Sequence, residues 1–338
     1  PFDLEYWTKV AEERYPQGLP APFSDDPTQW IFHGHPAGSV VWSEAIKRLE
    51  KGKLRRDATV LQVAVARLLG YRWPAELDPA MELSAESREL VAEGDSRLPL
   101  GEREGTVGRP ASGGEKPARD RLIELLSAAY GREWSAGILD ELLAACNWQG
   151  KDLESWLRDA FFEQHCKLSQ SRPFIWQITD GQKEGFSALV NYHRLDRATL
   201  EKLIYSYLGD WISRQEDDER AGKAGATVRV AAAKSLKERL ERILEGEKPY
   251  DIFVRWKSLA EQPLGWNPDL NDGVRLNIRP FMTAEVLRIN KPPKLNVKWE
   301  KDRGKDVESA PWYSEFKGER KNEWHTSLEE KRKARGGK

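Results

Sequence analysis

Two stretches, RPFIWQIT (172–179) and GFSALVNYH (185–193), decide the fold class. In the first, Phe174, Trp176 and Ile178 alternate with other residues. In the second, Phe186, Ala188, Val190 and Tyr192 do the same. Side chains on a strand point to opposite faces in turn, so a period of two marks a half-buried strand. The intervening DGQKEG (180–185) supplies turn residues, and together they predict an antiparallel hairpin. Its aromatic face suits either stacking on nucleobases or packing beneath neighbouring helices.

Outward from the hairpin the period becomes helical. Leu200, Leu203, Ile204, Tyr207, Leu208, Trp211 and Ile212 repeat at three- and four-residue steps, predicting a helix over 198–215. The charged, glycine-containing break EDDERAGKAG follows. Then Leu236, Leu240, Ile243 and Leu244 mark a second helix, which predicts an antiparallel helical pair within 198–245. YDIFVRW (250–256) and DGVRLNI (272–278) alternate as further strands. Upstream, Leu122, Leu125, Leu126 and Ala129 form one helical stripe, and Leu139, Leu142, Leu143 and Cys146 another. A third helix, capped by Asp152, carries Leu153, Trp156, Leu157, Ala160 and Phe161. ATVLQVAVARLL (58–69) reads as a buried helix stopped at Gly70.

Residues 94–117 hold six glycines and three prolines without an apolar period, and are expected to be a flexible linker. The expected architecture is α+β and predominantly helical, with a small antiparallel sheet and an inserted helical pair. It divides into a mostly helical segment 1–93, the linker 94–117, a helical bundle 118–170, a mixed recognition-like domain 171–290 and a basic tail 291–338. The tail carries 14 basic and 9 acidic residues, and KPPKLNVKWEKDRGK places Trp299 among the cations. Such interleaving suits phosphate contact with base stacking, or else a solvated terminus.

The chain has 338 residues, 39% hydrophobic and 32% charged, with a formal net charge of −1. It has no run of about 18 apolar residues, so no membrane helix is expected. Residues 1–30 lack the apolar core of a signal peptide, and two cysteines make no disulfide framework, so a cytoplasmic location is expected. The chain begins at Pro1, which suggests a piece of something longer.

No two of the 26 glycines stand two apart, which argues against a dinucleotide site or a glycine-rich S-adenosylmethionine loop. No P-loop, zinc pair or nucleophile elbow is present; Ser187 sits in GFSAL, without the elbow's second glycine. His33 and His35 in FHGHP would need at least one further ligand, which sequence does not show, to hold a metal; a turn with locally bonded imidazoles is the favoured reading. His165 and Cys166, adjacent on a helix, point about 100° apart and make a poor dyad.

Three segments carry a resemblance: SRPFIWQITDGQKEGFSALVNYHRLDRATLEKL (171–203), YDIFVRWKSLAEQPLGWNPDLNDGVRLNIRPF (250–281), and FSDDPTQWIFHGHPAG with LQVAVARLLGYRWPAELD (23–38 and 61–78). Together they resemble the C-terminal portion of adenine-specific DNA methyltransferases of the type IIG, BREX or DISARM-like class, enzymes of restriction–modification and phage defence. The resemblance extends over roughly 200 of the 338 residues. It implies a target-recognition portion that contacts double-stranded DNA. S-adenosylmethionine and the chemistry would lie in an N-terminal methyltransferase module. That module, or other defence-system subunits, would be its partners.

The family's catalytic N-P-P-Y does not appear; Pro292 and Pro293 stand in NKPPKL. This chain by itself is therefore expected not to transfer a methyl group, and no catalytic, cofactor-binding or metal-ligating residue is assigned. The DNA-contact candidates are Arg194, Arg197, Arg275, Asn277, Arg279, Lys294, Lys298, Lys301 and Arg303. On DGVRLNIR, inward Val274, Leu276 and Ile278 would leave Arg275, Asn277 and Arg279 on one outward face. For each, an ion pair with a neighbouring carboxylate is the competing role. A protein-interaction subunit that never touches DNA is the alternative for the whole chain.

Overall fold

The computed structural model describes residues 3–16, 34–77, 83–100, 105–169, 173–247, 250 and 278–288. The chain divides into two compact units. The first comprises 1–64, 72–99 and 126–149; the second comprises 65–71, 100–125 and 150–338.

In the first unit, helix α1 (Leu4–Arg14) starts at Asp3, whose carboxylate accepts the Tyr6 amide. Strands β1 (Val40–Ser43) and β2 (Arg48–Lys51) form an antiparallel ribbon with Trp42 opposite Leu49. Helix α2 (Thr59–Leu68) follows, with Thr59–Ala64 in this unit and the rest in the second. It begins where Asp57 Oδ1 accepts the Thr59 amide at 2.8 Å, and Gly70 lies just past its end at φ 68°. The short α3 (Pro74–Leu77) and α4 (Ala85–Arg97) come next.

The HGHP turn is built as its sequence suggests. His35 Nδ1 accepts the amides of Ala37 and Gly38, at 3.2 and 2.7 Å. The buried Arg55 guanidinium donates to the carbonyls of Gly38 and Pro36, at 2.9 and 3.0 Å, and to Thr59 Oγ1 at 2.7 Å. Its carbonyl accepts the Tyr130 hydroxyl. His33 lies outside the described residues.

The second unit is organised on a three-stranded antiparallel sheet of order β3-β5-β4, made of β3 (Thr106–Gly108), β4 (Ile175–Thr179) and β5 (Ser187–Asn191). The predicted hairpin is β4–β5, with Trp176 opposite Val190 and Ile178 opposite Ala188. Leu287 bridges to Ile178 on the outer side of β4. Trp176, Ile178, Phe186, Ala188, Val190 and Tyr192 are all at most 2% exposed, so packing and not stacking claims this face. Each such large apolar side chain contributes about 1.5–3 kcal/mol by leaving water.

Part of the stretch expected to be a linker, 94–117, carries regular structure among the described residues. Its first residues end α4, Thr106–Gly108 form the buried edge strand, and Ser112 and Glu115 pair across the two-residue turn Gly113–Gly114. Both of those glycines have positive φ, 62° and 78°, the backbone such a tight hairpin requires. Of the glycines that read as flexibility, Gly113 and Gly114 serve turn geometry.

Helix α5 (Ala118–Tyr130) runs from the second unit into the first, and α6 (Ala136–Ala145) belongs to the first. The second unit then holds α7 (Leu153–Asp159), capped by Asp152 as expected, and α8 (Phe161–Leu168). The helical pair is present as well. One arm comprises α9 (Arg197–Glu201), a π-helical stretch Lys202–Leu208 and α10 (Gly209–Arg220); α11 (Ala226–Glu245) returns along it. A final short helix, α12, spans Arg279–Thr283.

The π-helical stretch was not foreseen, and its geometry has a visible use. Glu115 accepts hydrogen bonds from Lys202 Nζ at 2.7 Å and from the Tyr207 hydroxyl. Five residues apart, these two would point about 140° apart on an α-helix. The wider π turn, of about 4.4 residues, brings them within roughly 50°. Arg121 completes the cluster at 3.0 Å. Burial pushes the Glu115 carboxyl up, but Lys202, Tyr207 and Arg121 outweigh it and hold it below its ordinary range.

The strands expected at 250–256 and 272–278 lie almost wholly outside the described residues.

Candidate nucleic-acid interface

Strand β5 ends at Asn191, a fully buried residue with a positioning role. Its Nδ2 donates to the Leu69 carbonyl at 3.2 Å, and its Oδ1 accepts the His193 amide at 3.0 Å. The backbone turns there through the 3-10 segment Tyr192–Arg194. The same side chain thus ties this corner to the end of α2, from which Tyr71 follows.

Tyr71 stacks on Phe174, with ring centroids 4.1 Å apart and planes 26° apart. The His193 ring lies 5.7 Å from Tyr71 and 5.9 Å from Phe174. All three rings are half-buried. Behind them the rings continue inward: His165 meets Phe174 edge-on at 4.7 Å, Phe161 stacks on His165, and Trp156 meets Phe161. The patch is the outer end of a rigid aromatic row.

His165 fixes the entry to β4. Its Nε2 accepts the amides of Phe174 and Ile175, at 3.2 and 3.1 Å, so this nitrogen is unprotonated. Full burial pushes its pKa down to about 3. Burial pushes the neighbouring Cys166 thiol up to about 12, which leaves no thiolate for chemistry.

Arg194 follows His193 in the chain and is exposed. Among the described residues no carboxylate pairs with it. Gly105, with φ 56°, lies against it; a Cβ there would come 2.7 Å from the Arg194 Cβ. Glycine is thus required at 105 both by its backbone and by this approach. Further into the sheet, the buried Arg109 donates to Ser187 Oγ at 2.7 Å, to the Gly185 carbonyl at 3.0 Å and to Glu154. That cation is structural.

Of the nine residues expected to contact DNA, the side chains of Arg194 and Arg197 are described. Arg194 is open, whereas Arg197 donates to Glu201 at 2.8 Å and Glu245 at 3.0 Å, and both partners raise its pKa. Arg275 and Asn277, with Lys294, Lys298, Lys301 and Arg303, lie outside the described residues, as does the side chain of Arg279, whose backbone opens α12. The sequence did not reveal that Tyr71 joins Phe174 and His193. The signal was present only as two separate segments, LLGYRW and NYHRLD, with the Asn191–Leu69 bond between them.

Planar rings beside an uncommitted guanidinium can stack on bases and contact a phosphate. No group of three metal-ligating side chains occurs among the described residues, and no described helix is long and apolar enough to cross a membrane. The cysteines are free.

Comparison with known proteins points to one class. No protein-family model matches the chain. Two curated proteins similar to it are both adenine-specific methyltransferases. They are PglX of Lacticaseibacillus casei (strain Zhang), 31% identical over 101 residues, and BrxX of Escherichia coli O9:H4 (strain HS), 26% identical over 148 residues. The matches cover 28% and 40% of this chain, but only 8% and 12% of those proteins. The chain thus spans about a tenth of the length of the curated relatives it matches.

Proposed function

We propose that this chain is a DNA-contacting, target-recognition portion of a site-specific adenine-N6 DNA methyltransferase of a restriction–modification or phage-defence system, working in the cytoplasm. The similarity to two adenine-specific methyltransferases carries the reading. The exposed Arg194, next in the chain after the His193 ring that meets Tyr71 and Phe174, gives it a candidate contact point. S-adenosylmethionine would be held by a separate methyltransferase module. The residues of this chain do not fit that group, for no two glycines stand two apart and no Asn-Pro-Pro occurs. Catalysis is accordingly not assigned to any residue here.

The test is duplex-DNA binding by the full chain at several salt concentrations. Each phosphate contact contributes about 0.9 to the slope of log K against log salt. Arg194→Gln is expected to lower the slope by about that amount, and an unchanged slope removes Arg194 from the interface.

A second reading, a subunit that binds protein and not DNA, is favoured by one observation. Leu4, Tyr6 and Trp7 on α1 are 69%, 58% and 52% exposed. Absence of any DNA binding by the chain would put this reading first.

A further inference from the structure

The strongest feature outside the aromatic corner is the β1–β2 ribbon of the first unit. Its base is fixed. Val40 is 6% exposed, the Gly52 amide donates to the Ser39 carbonyl at 3.0 Å, and Ser39 Oγ donates to the Lys53 carbonyl at 2.6 Å. Arg55, next along the chain, holds the turn before β1 through the carbonyls of Pro36 and Gly38. Lys51 reaches Glu89 and Glu93, at 3.3 and 3.5 Å.

The tip is different. Four residues, Glu44 to Lys47, connect the strands, and Lys47 adopts φ 49°. Ile46 is 47% exposed, and Lys47 and Arg48 are exposed. Neither cation has a carboxylate partner among the described residues. Of the two nearby acids, Glu44 accepts the Trp42 indole N–H at 3.0 Å, and Glu50 lies further down β2, opposite Val41.

A two-stranded ribbon is about 5 Å from strand to strand. With its side chains it fits a DNA groove, the major groove being about 12 Å wide. An apolar branched side chain followed directly by two cations suits a groove-entering tip. The cations take phosphates, and the apolar group lies on base edges or steps.

We infer that the β1–β2 ribbon is a second DNA contact, entering a groove of duplex DNA tip-first with Lys47 and Arg48 on phosphates and Ile46 against the bases. The inference rests on the DNA-contact reading above, and places a contact in the unit that reading left without one.

The test compares the full chain with two ribbon variants and Arg194→Gln on one duplex across a salt series. Lys47→Asn with Arg48→Gln removes both charges, and asparagine tolerates the positive φ at 47. Its salt slope falls by about 1.8, two phosphates' worth. Ile46→Ser weakens binding about fivefold with the slope unchanged, as an apolar contact should. Thermal midpoints of all variants match the parent, because the tip touches no core. If the parent binds and both ribbon variants bind like it, the ribbon inference fails while the DNA-contact reading stands. If the parent binds no duplex at all, both fail together.

Discussion

The aromatic corner and the helical pair treat their cations in opposite ways. Along the pair nearly every described cation is spent on a neighbour. Lys234 reaches Glu216 at 2.6 Å, Arg197 reaches Glu201 and Glu245, Lys202 reaches Glu115, and Arg239 donates to the Ala284 carbonyl at 2.8 Å. At the corner, buried neutral acceptors hold the backbone, and Arg194 is left open. Among the described residues the two regions therefore divide the work: the pair's cations are neutralised internally, and Arg194 is free to meet a partner.

This contrast breaks most visibly with acid. The His165 pKa falls from an ordinary 6.5 to about 3 on folding. Between those values the unfolded chain binds the extra proton and the folded chain does not, so stability is intact above pH 6.5 and declines below it. At about 1.4 kcal/mol per pH unit, the loss approaches 5 kcal/mol by pH 3. Urea midpoints measured across pH 7 to 4 should drop steeply, and His165→Gln, which keeps an acceptor but titrates in neither state, should flatten that drop. An equal drop in the variant would move the cause elsewhere.

Next in size is the corner's own tie. Asn191→Ala leaves the Leu69 carbonyl without its donor and the His193 amide without its acceptor, and should destabilise by about 1–3 kcal/mol. Denaturant unfolding reads this directly, and DNA binding should weaken with it if the corner is the contact surface. The smallest effect belongs to the pair: Lys234→Ala removes a solvent-exposed ion pair and should leave both the unfolding midpoint and the DNA salt slope close to the parent's. A slope that moved there would erase the distinction between the two regions.

The hairpin was legible because both its strands are long enough to show a period of two. The ends of α2 and α7 were legible because Gly70 and Asp152 are local signals. The edge strand β3 was not: three residues show no period, and the glycines around it resembled a linker. The π-helical stretch was hidden because its partner, Glu115, lies 87 residues before Lys202. In the candidate interface, Arg194 was named as a candidate from its place after the hairpin, and its exposure was not legible there. That Arg197 is neutralised was not, since Glu245 stands 48 residues away. Sequence shows which cations exist; tertiary packing decides which remain free.

The widened turn at Lys202–Leu208 bears on how this chain should be compared with others. A π turn accommodates about one more residue than an α turn over the same rise. A related chain whose helix is α throughout will match this one with a one-residue gap here, and a gap-free alignment will misassign every position on one side. The Glu115 contacts give an anchor, for the residues to be matched are those that reach its carboxylate.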